Sequence, residues 1–379
     1  MDTKHEQHLS ADFDSALERD PATRTVLERF GFDRDLWLRQ AHELRTRAKG
    51  ARNPCQGTLA APEPCDMLEL GFSGNAPEAT PRRPRFAAAI LAGGMATRFG
   101  GVVKGLVEVR EGQNFLALKL AQLKALARQS GAPLDVAIMT SFASHAPVSA
   151  WLASYPSEDL LSVHVFPQFI SLRMTDAGDL FVDPEGRVSP YAPGHGDFHF
   201  ALERAGLRER FSNNGAEWLF VSNVDNLGAA LTPELMATVG AVKDADLLFE
   251  VAPKAPGDAG GIPARLNGRP EVIEGFRLTP EFDGSAVPDF NTNTFSVRLA
   301  ALAKPMSLDY FVAEKSVNDR PAIQFERLVG QLSAFLPTRF IRVPREGGRS
   351  RFVPCKVPAD LTTQAALIEA VLTHTHALS

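Results

Sequence analysis

The sequence predicts an α/β protein: a mostly parallel central sheet, helices on both of its faces, and β-hairpins inserted between the strands. Apolar runs of strand length recur at 86–91, 134–140, 162–166, 217–222 and 246–252. Helical patterns separate several of them, and strands that alternate with helices build a parallel sheet covered on both sides. Two further stretches read as hairpins, 172–188 turning near Gly178 and 262–273 turning at Asn267-Gly268. An Asn-Gly pair supplies the positive φ that a tight β-turn requires.

The first fifty residues are charged and helix-prone, with Val26, Leu27, Phe30, Leu36, Leu38 and Leu44 as apolar positions. Residues 51–85 contain Pro54, Pro62, Pro64, Pro77, Pro81 and Pro84, which no regular helix tolerates, and read as a linker or wrapping segment. The alternating pattern starts at Phe86. Within it Leu116, Leu120, Leu123 and Ala127 share one helical face, and Gly131 stops that helix. One more helix is expected over 359–372. The organisation implied is 1–85 as helical segment and proline-rich linker, 86–336 as the principal domain, and 337–379 as a short C-terminal segment.

A chain of 379 residues fits one large domain with extensions, or two domains. Its 44% hydrophobic and 22% charged content is that of a soluble globular protein. A net charge of −5 argues against a nucleic-acid partner, because no basic excess is available to neutralise phosphates. Cys55, Cys65 and Cys355 are sparse and lack metal-ligand spacing, which points to reduced thiols. No apolar leader opens the sequence and no run approaches a membrane span, so a cytoplasmic protein without a membrane partner is expected.

Between Phe86 and Gly105 the chain reads FAAAILAGGMATRFGGVVKG. A buried strand breaks here into a glycine-rich turn that carries Arg98 and then Lys104. Gly93 and Gly94 allow close backbone approach, and turn N–H groups followed by two cations make a cradle for phosphate oxygens. Neither a Walker A loop nor the dinucleotide G-x-G-x-x-G is present. Farther on, Pro193-Gly194-His195-Gly196-Asp197 precedes a helical pattern, with His195 able to donate to a hydroxyl or a phosphate. Ser222-Asn223-Val224-Asp225-Asn226-Leu227-Gly228 follows a strand, where open α/β sheets place their ligand crevice. Asp225 is thereby set to meet a phosphate-bound Mg²⁺, a hard cation that needs few protein carboxylates. In FNTNTFSV, Asn291 and Asn293 occupy a strand that disfavours asparagine, and their amides suit sugar hydroxyls. Their spacing of one strand period implies side chains on a common side.

The first loop resembles that of sugar-nucleotide pyrophosphorylases, L-A-G-G-x-x-T-R-x-G…K. With PGHGD, VSNVDNLGA, FNTN and a terminal R-F-x-P-x-K in the same order, the chain resembles the UTP–glucose-1-phosphate uridylyltransferase family from Phe86 to Leu361. The segments Gln324-Phe-Glu326 and Val343-Pro-Arg345 resemble it too. The resemblance implies a Rossmann-like nucleotidyltransferase fold. It implies that Gly93, Gly94, Gln168 and Gly194 surround the uracil and ribose. His195, Asn223, Glu274, Asn291 and Asn293 would surround the sugar and its phosphate. Asp225 would be the metal-associated carboxylate, with Arg98, Lys104 and Lys356 as the catalytic cations. UTP, a sugar-1-phosphate and Mg²⁺ are the implied substrates and cofactor.

The sequence also departs from the family pattern. The loop from Leu91 to Lys104 is one residue short, and Val103 stands where a proline is usual. A usual Lys-Gly-Gly is Ala259-Gly260-Gly261, with Lys254 as a possible stand-in for the missing lysine. A short form without the family's C-terminal β-helix domain is expected, and oligomeric state is not legible. The implied reaction is uridylyl transfer to glucose-1-phosphate. Its rivals are an N-acetylhexosamine or guanylyl nucleotidyltransferase, and a non-catalytic nucleotide-sugar sensor.

Overall fold

The computed structural model describes residues 13–46, 53–72, 84–96, 99–156, 159–258 and 260–378. Its frame is an eight-stranded sheet. The strands are β1 (Met67–Glu69), β2 (Phe86–Leu91), β3 (Leu134–Thr140), β4 (Leu161–Pro167), β5 (Trp218–Asn223), β6 (Leu247–Pro253), β7 (Asp289–Arg298) and β8 (Thr338–Arg342). Their order across the sheet is β1-β8-β6-β7-β5-β2-β3-β4. All neighbours are parallel except β7, which runs antiparallel to both β5 and β6. The mostly parallel sheet is as expected; the reversed strand in its middle is not written in any periodicity.

Every residue of β2 is buried, as a central parallel strand covered on both faces requires. Its side chains alternate between two cores. Ala88 and Ile90 join α3 (Phe115–Ser130), α4 (His145–Ser154), α7 (Pro233–Ala241) and α9 (Ala365–His374) on one face. Ala87, Ala89 and Leu91 join α5 (Phe198–Arg204) and α6 (Leu207–Asn213) on the other. Helix α3 starts where the Asn114 side chain accepts from Ala117 N–H at 2.9 Å and stops at Gly131, φ 66°. A third core packs the N-terminal helices α1 (Pro21–Arg29) and α2 (Arg34–Thr46) on the segment around Leu172. Trp37 Nε1 donates to Leu172 O there at 2.9 Å.

The hairpin Ile262–Leu266/Arg269–Ile273 forms with Asn267 and Gly268 at φ 51° and 79°. The stretch 172–188 is less regular than one hairpin. It folds about two turns, bridging Met174 with Leu180 and Val182 with Val188, and Ser171–Leu172 paired with Pro190–Tyr191 closes it. The single helix expected over 359–372 is two, α8 (Pro358–Thr363) and α9, broken at Gln364. Within the proline-rich stretch, Met67–Glu69 joins the sheet and Leu59–Ala60 extends the 262–273 hairpin. Among the described residues no helix is long and apolar enough to cross a membrane.

Candidate active site

Four parallel strands end at one cavity of about 360 Å³. Leu91 closes β2, Met139 stands near the end of β3, Gln168 follows β4 and Asn223 closes β5, and all four line it. Gly93, Gly94, Lys104, Gly194, His195 and Asp225 complete the wall with Ala192 and Val224. The carboxyl ends of strands are where open α/β sheets receive ligands.

On one side the wall is main chain and amide. A Cβ on Gly93 would lie 2.5 Å from Gln168 Nε2, so only glycine lets that amide rest against the turn. Gln168 is 5% exposed, its backbone N–H donates to Thr140 O at 2.8 Å, and its Oε1 has no partner. Gly194 adopts φ 93° and presses on Arg327 O, 2.4 Å from where a Cβ would stand. That contact seats the 193–197 turn, and Val329 N–H donates to His195 Nδ1 at 3.0 Å. Burial pushes the His195 pKa down to about 4, so the ring is neutral and its proton sits on Nε2.

On the other side the wall is charged. Lys104 is 8% exposed; its Nζ donates to Cys355 O, lies 4.0 Å from Asp225 Oδ2, and sits 4.1 Å from the Phe99 ring centre. Burial pushes the Asp225 carboxyl up from the usual range, while Lys104, Lys119 and Lys356 pull it down. Lys356 is exposed; it follows Cys355, whose N–H donates to Asp225 O at 3.2 Å. Asn226 fixes this register by donating to Arg351 O at 3.1 Å and accepting from Val353 N–H at 2.8 Å. Behind it, Arg351 grips Glu250 in a two-pronged ion pair at 2.7 and 2.6 Å, with both side chains under 5% exposed.

Asn223 links the cavity to the remaining asparagines. Asn293 Nδ2 donates to Asn223 Oδ1 at 3.1 Å, and Asn293 N–H donates to Asn291 Oδ1 at 3.1 Å. Asn293 has φ 59°, and the β6–β7 register shifts between Phe249 and Val251. This bulge explains asparagine in a strand, since Asn tolerates the left-handed region. It also interrupts the two-residue alternation on which a common side for Asn291 and Asn293 was argued. Asn291 N–H donates to Gly261 O at 2.7 Å, and Gly261 packs against Glu274, whose carboxyl burial pushes up. Glu274, Asn291 and Asn293 therefore stand behind Asn223 and outside the cavity lining.

Arg98 and Ala259 lie outside the described residues. Lys254 is held elsewhere, its Nζ donating to Gly284 O at 2.7 Å. Among the described residues no group of three or more His, Cys, Asp or Glu side chains could hold a metal ion. The carboxylate in the cavity wall is Asp225. Sequence reading missed Lys119 and Glu250, and it met Arg351 only as the first residue of R-F-x-P-x-K without a role, because their partners lie far away along the chain.

Comparison with known proteins follows the same lines. A family model described as UTP–glucose-1-phosphate uridylyltransferase matches residues 75–374. UTP–glucose-1-phosphate uridylyltransferase 2 of Dictyostelium discoideum is 29% identical over 324 residues, 79% of this chain and 62% of its own length. The Astragalus penduliflorus enzyme of that name is 30% identical over 287 residues, 72% of this chain and 60% of its own. The chain thus spans about three fifths of the length of these curated relatives. Among solved structures, UDP-glucose phosphorylase from Trypanosoma brucei superposes with a TM-score of 0.72 at 24% identity, covering 88% of this chain and 76% of that one. A UDP-glucose pyrophosphorylase variant from Leishmania major, crystallised with UDP-glucose, gives 0.66 at 24% identity, covering 92% and 77%. The structural likeness establishes the nucleotidyltransferase fold that the strand order and the crevice already describe. With the family model spanning seven of the eight strands, the cavity and the segment that carries Lys356, the chain belongs to the UTP–glucose-1-phosphate uridylyltransferase family.

Proposed function

We propose that the protein transfers a uridylyl group from UTP to a sugar-1-phosphate, glucose-1-phosphate foremost, yielding a UDP-sugar and pyrophosphate. The observation that carries this reading is convergence. Residues from separate motifs, Gly93, Lys104, Gln168, His195, Asn223 and Asp225, share one cavity at the carboxyl ends of the strands. The relatives' names and the neighbour crystallised with UDP-glucose support it.

Gly93, Gly94, Gln168 and Gly194 are assigned to the nucleotide. The partnerless Gln168 Oε1 suits the N3–H of uracil, a donor that cytosine lacks, which favours UTP over CTP. His195 Nε2–H donates to a hydroxyl or a phosphate oxygen. Asn223 meets the sugar, with Asn291, Asn293 and Glu274 ordered behind it. In the reaction a phosphate oxygen of glucose-1-phosphate attacks the α-phosphorus of UTP. The new P–O bond forms as the bond to the bridging oxygen breaks, and pyrophosphate leaves with that electron pair. The nucleophile is already an anion, so no general base is required. Lys104 and Lys356 neutralise the gathered phosphates and hold them in line, joined by Arg98 on the family resemblance. Asp225 is the residue that would hold Mg²⁺, and a single carboxylate fits a cation that completes its shell with phosphate oxygens and water. When bound, Mg²⁺ would offset charge on the transferring phosphate. Segment 337–379 serves the 86–336 catalytic unit by delivering Lys356.

Pyrophosphate release measured over a matrix of nucleoside triphosphates and sugar-1-phosphates tests this. UTP with glucose-1-phosphate should be fastest, and N-acetylglucosamine-1-phosphate should be poorer by about tenfold or more in kcat/KM. Equal values for the two sugars would move the sugar assignment to the N-acetylhexosamine class. Preference for GTP would make the protein a guanylyltransferase. UDP-glucose binding without turnover would make it a sensor.

A further inference from the structure

Helix α3 passes behind the loop that follows β5 and presents a buried ammonium to it. Lys119 is 2% exposed, on a helix whose Leu116, Leu120 and Leu123 are buried in the apolar core. Its Nζ donates to Ser222 Oγ at 3.2 Å and to Ala229 O at 2.5 Å. These acceptors stand at the two ends of the segment 222–229, which carries Asn223 and Asp225. One helical turn farther, Gln122 Nε2 donates to Leu227 O of the same segment at 2.9 Å.

An amine, charged or neutral, held by two acceptors is a costly filling for a core position, where an apolar side chain would pack without desolvation loss. Burial and Arg351 pull the Lys119 pKa down to about 7, against Asp225 and Glu250, which favour the charged form. We propose that Lys119 is a positioning residue, stapling both ends of the 222–229 loop to α3 and thereby setting Asn223 and Asp225 at the cavity. An apolar replacement leaves Ala229 O and Ser222 Oγ without their donor and frees the loop. What the staple does to substrate rests on the uridylyltransferase reading; the staple itself does not.

Amide hydrogen exchange on the ligand-free full chain separates the two. In Lys119→Met, amides of 222–230 should exchange about tenfold faster than in wild type, while those of Leu134–Thr140 stay unchanged. Ser222→Ala keeps the charge, removes one acceptor, and should show the same change on a smaller scale, which also covers misfolding of the first variant. Calorimetry in EDTA should then show UDP-glucose affinity falling by about tenfold in Lys119→Met with UMP affinity held, and partial rescue in Lys119→Arg. Unchanged exchange in both variants would overturn the staple, as would UMP and UDP-glucose affinities falling together. A loosened loop in a protein whose wild type binds no UDP-glucose would uphold the staple and overturn the uridylyltransferase reading instead.

Discussion

In the cavity, Gly93, Gly94, Gln168 and Gly194 form a wall of main chain and one amide, with a neutral imidazole beside them. Asn223, Asp225 and Lys104 form a second wall, joined to the first where Lys104 N–H donates to Gly94 O at 3.2 Å, and it rests on charge buried out of water: Lys119 beneath it, Glu250 and Arg351 behind it. On the proposed function the first wall would recognise by contour, its glycines admitting a ligand that an unpaired amide oxygen orients. The second would act through its field, which a polyanion feels most as charge shifts in the transition state. Substitutions on the two walls should therefore fail differently, the first in affinity and the second in rate or in folding.

The largest effect should come from behind the charged wall. Arg351→Met strips Glu250 of its counter-ion and should cost ~3–5 kcal/mol of unfolding free energy, with the Arg351→Met/Glu250→Leu double variant recovering most of it. Urea denaturation of the three proteins reads this directly. If the single variant is as stable as wild type, the buried pair does not support that wall. Next, Lys104→Met should lower kcat by about a hundredfold or more with a lesser change in UTP affinity. Loss of UTP binding at unchanged turnover would erase the distinction between the walls.

On the contour wall the effects are smaller. A methyl at Gly93→Ala clashes with the far end of Gln168 and makes ordinary contact with Ser141 N, so the fold should survive while KM for UTP rises by about tenfold at constant kcat. Initial-rate kinetics checks it, and a fall in kcat at constant KM would contradict the contour role. The mildest signal is a slope against pH. His195 stays neutral down to about pH 4 when folded, whereas an unfolded imidazole takes its proton near ~6.5. The unfolded state binds the extra proton in that window. The stability due to His195 is thus fully present above the upper value and lost as pH falls toward the lower one. The stability difference between wild type and His195→Asn should shrink accordingly between those limits; a flat difference would mean a charged ring on the contour wall.

Much of this architecture was legible because local chemistry dictates it. Leu134–Thr140 and Phe86–Leu91 match their apolar runs residue for residue, and Asn267-Gly268 turns its hairpin where the dipeptide stands. What escaped depends on distant partners. Thr338–Arg342 sets Arg on either side of a Phe-Ile pair and looks half-exposed, yet β6 and β1 flank it. Met67–Glu69 is three residues among prolines, strand only because β8 is there. The hairpin Phe311–Val317/Arg320–Glu326 carried a usable signal in Asn318-Asp319, both at positive φ. In the site, the glycine turn and the SNVDN loop announce themselves, whereas Lys119 reads as one more cation on an amphipathic helix until its acceptors are seen.

The pairing of β1 with β8 has a consequence for how the chain is made. Met67–Glu69 leaves the ribosome long before its partner Thr338–Arg342. The cavity waits in the same way, because Lys104 and Glu250 find Cys355 and Arg351 far along the chain. Contacts of such separation close slowly, and until they close a strand edge and a carboxylate stand unmatched in a nascent chain. A chain that has emerged from the ribosome through Arg342 but not yet through Arg351 would hold a finished sheet around an uncompensated Glu250. Such a nascent chain is well shaped but marginal, and it is the stage at which a chaperone would matter most.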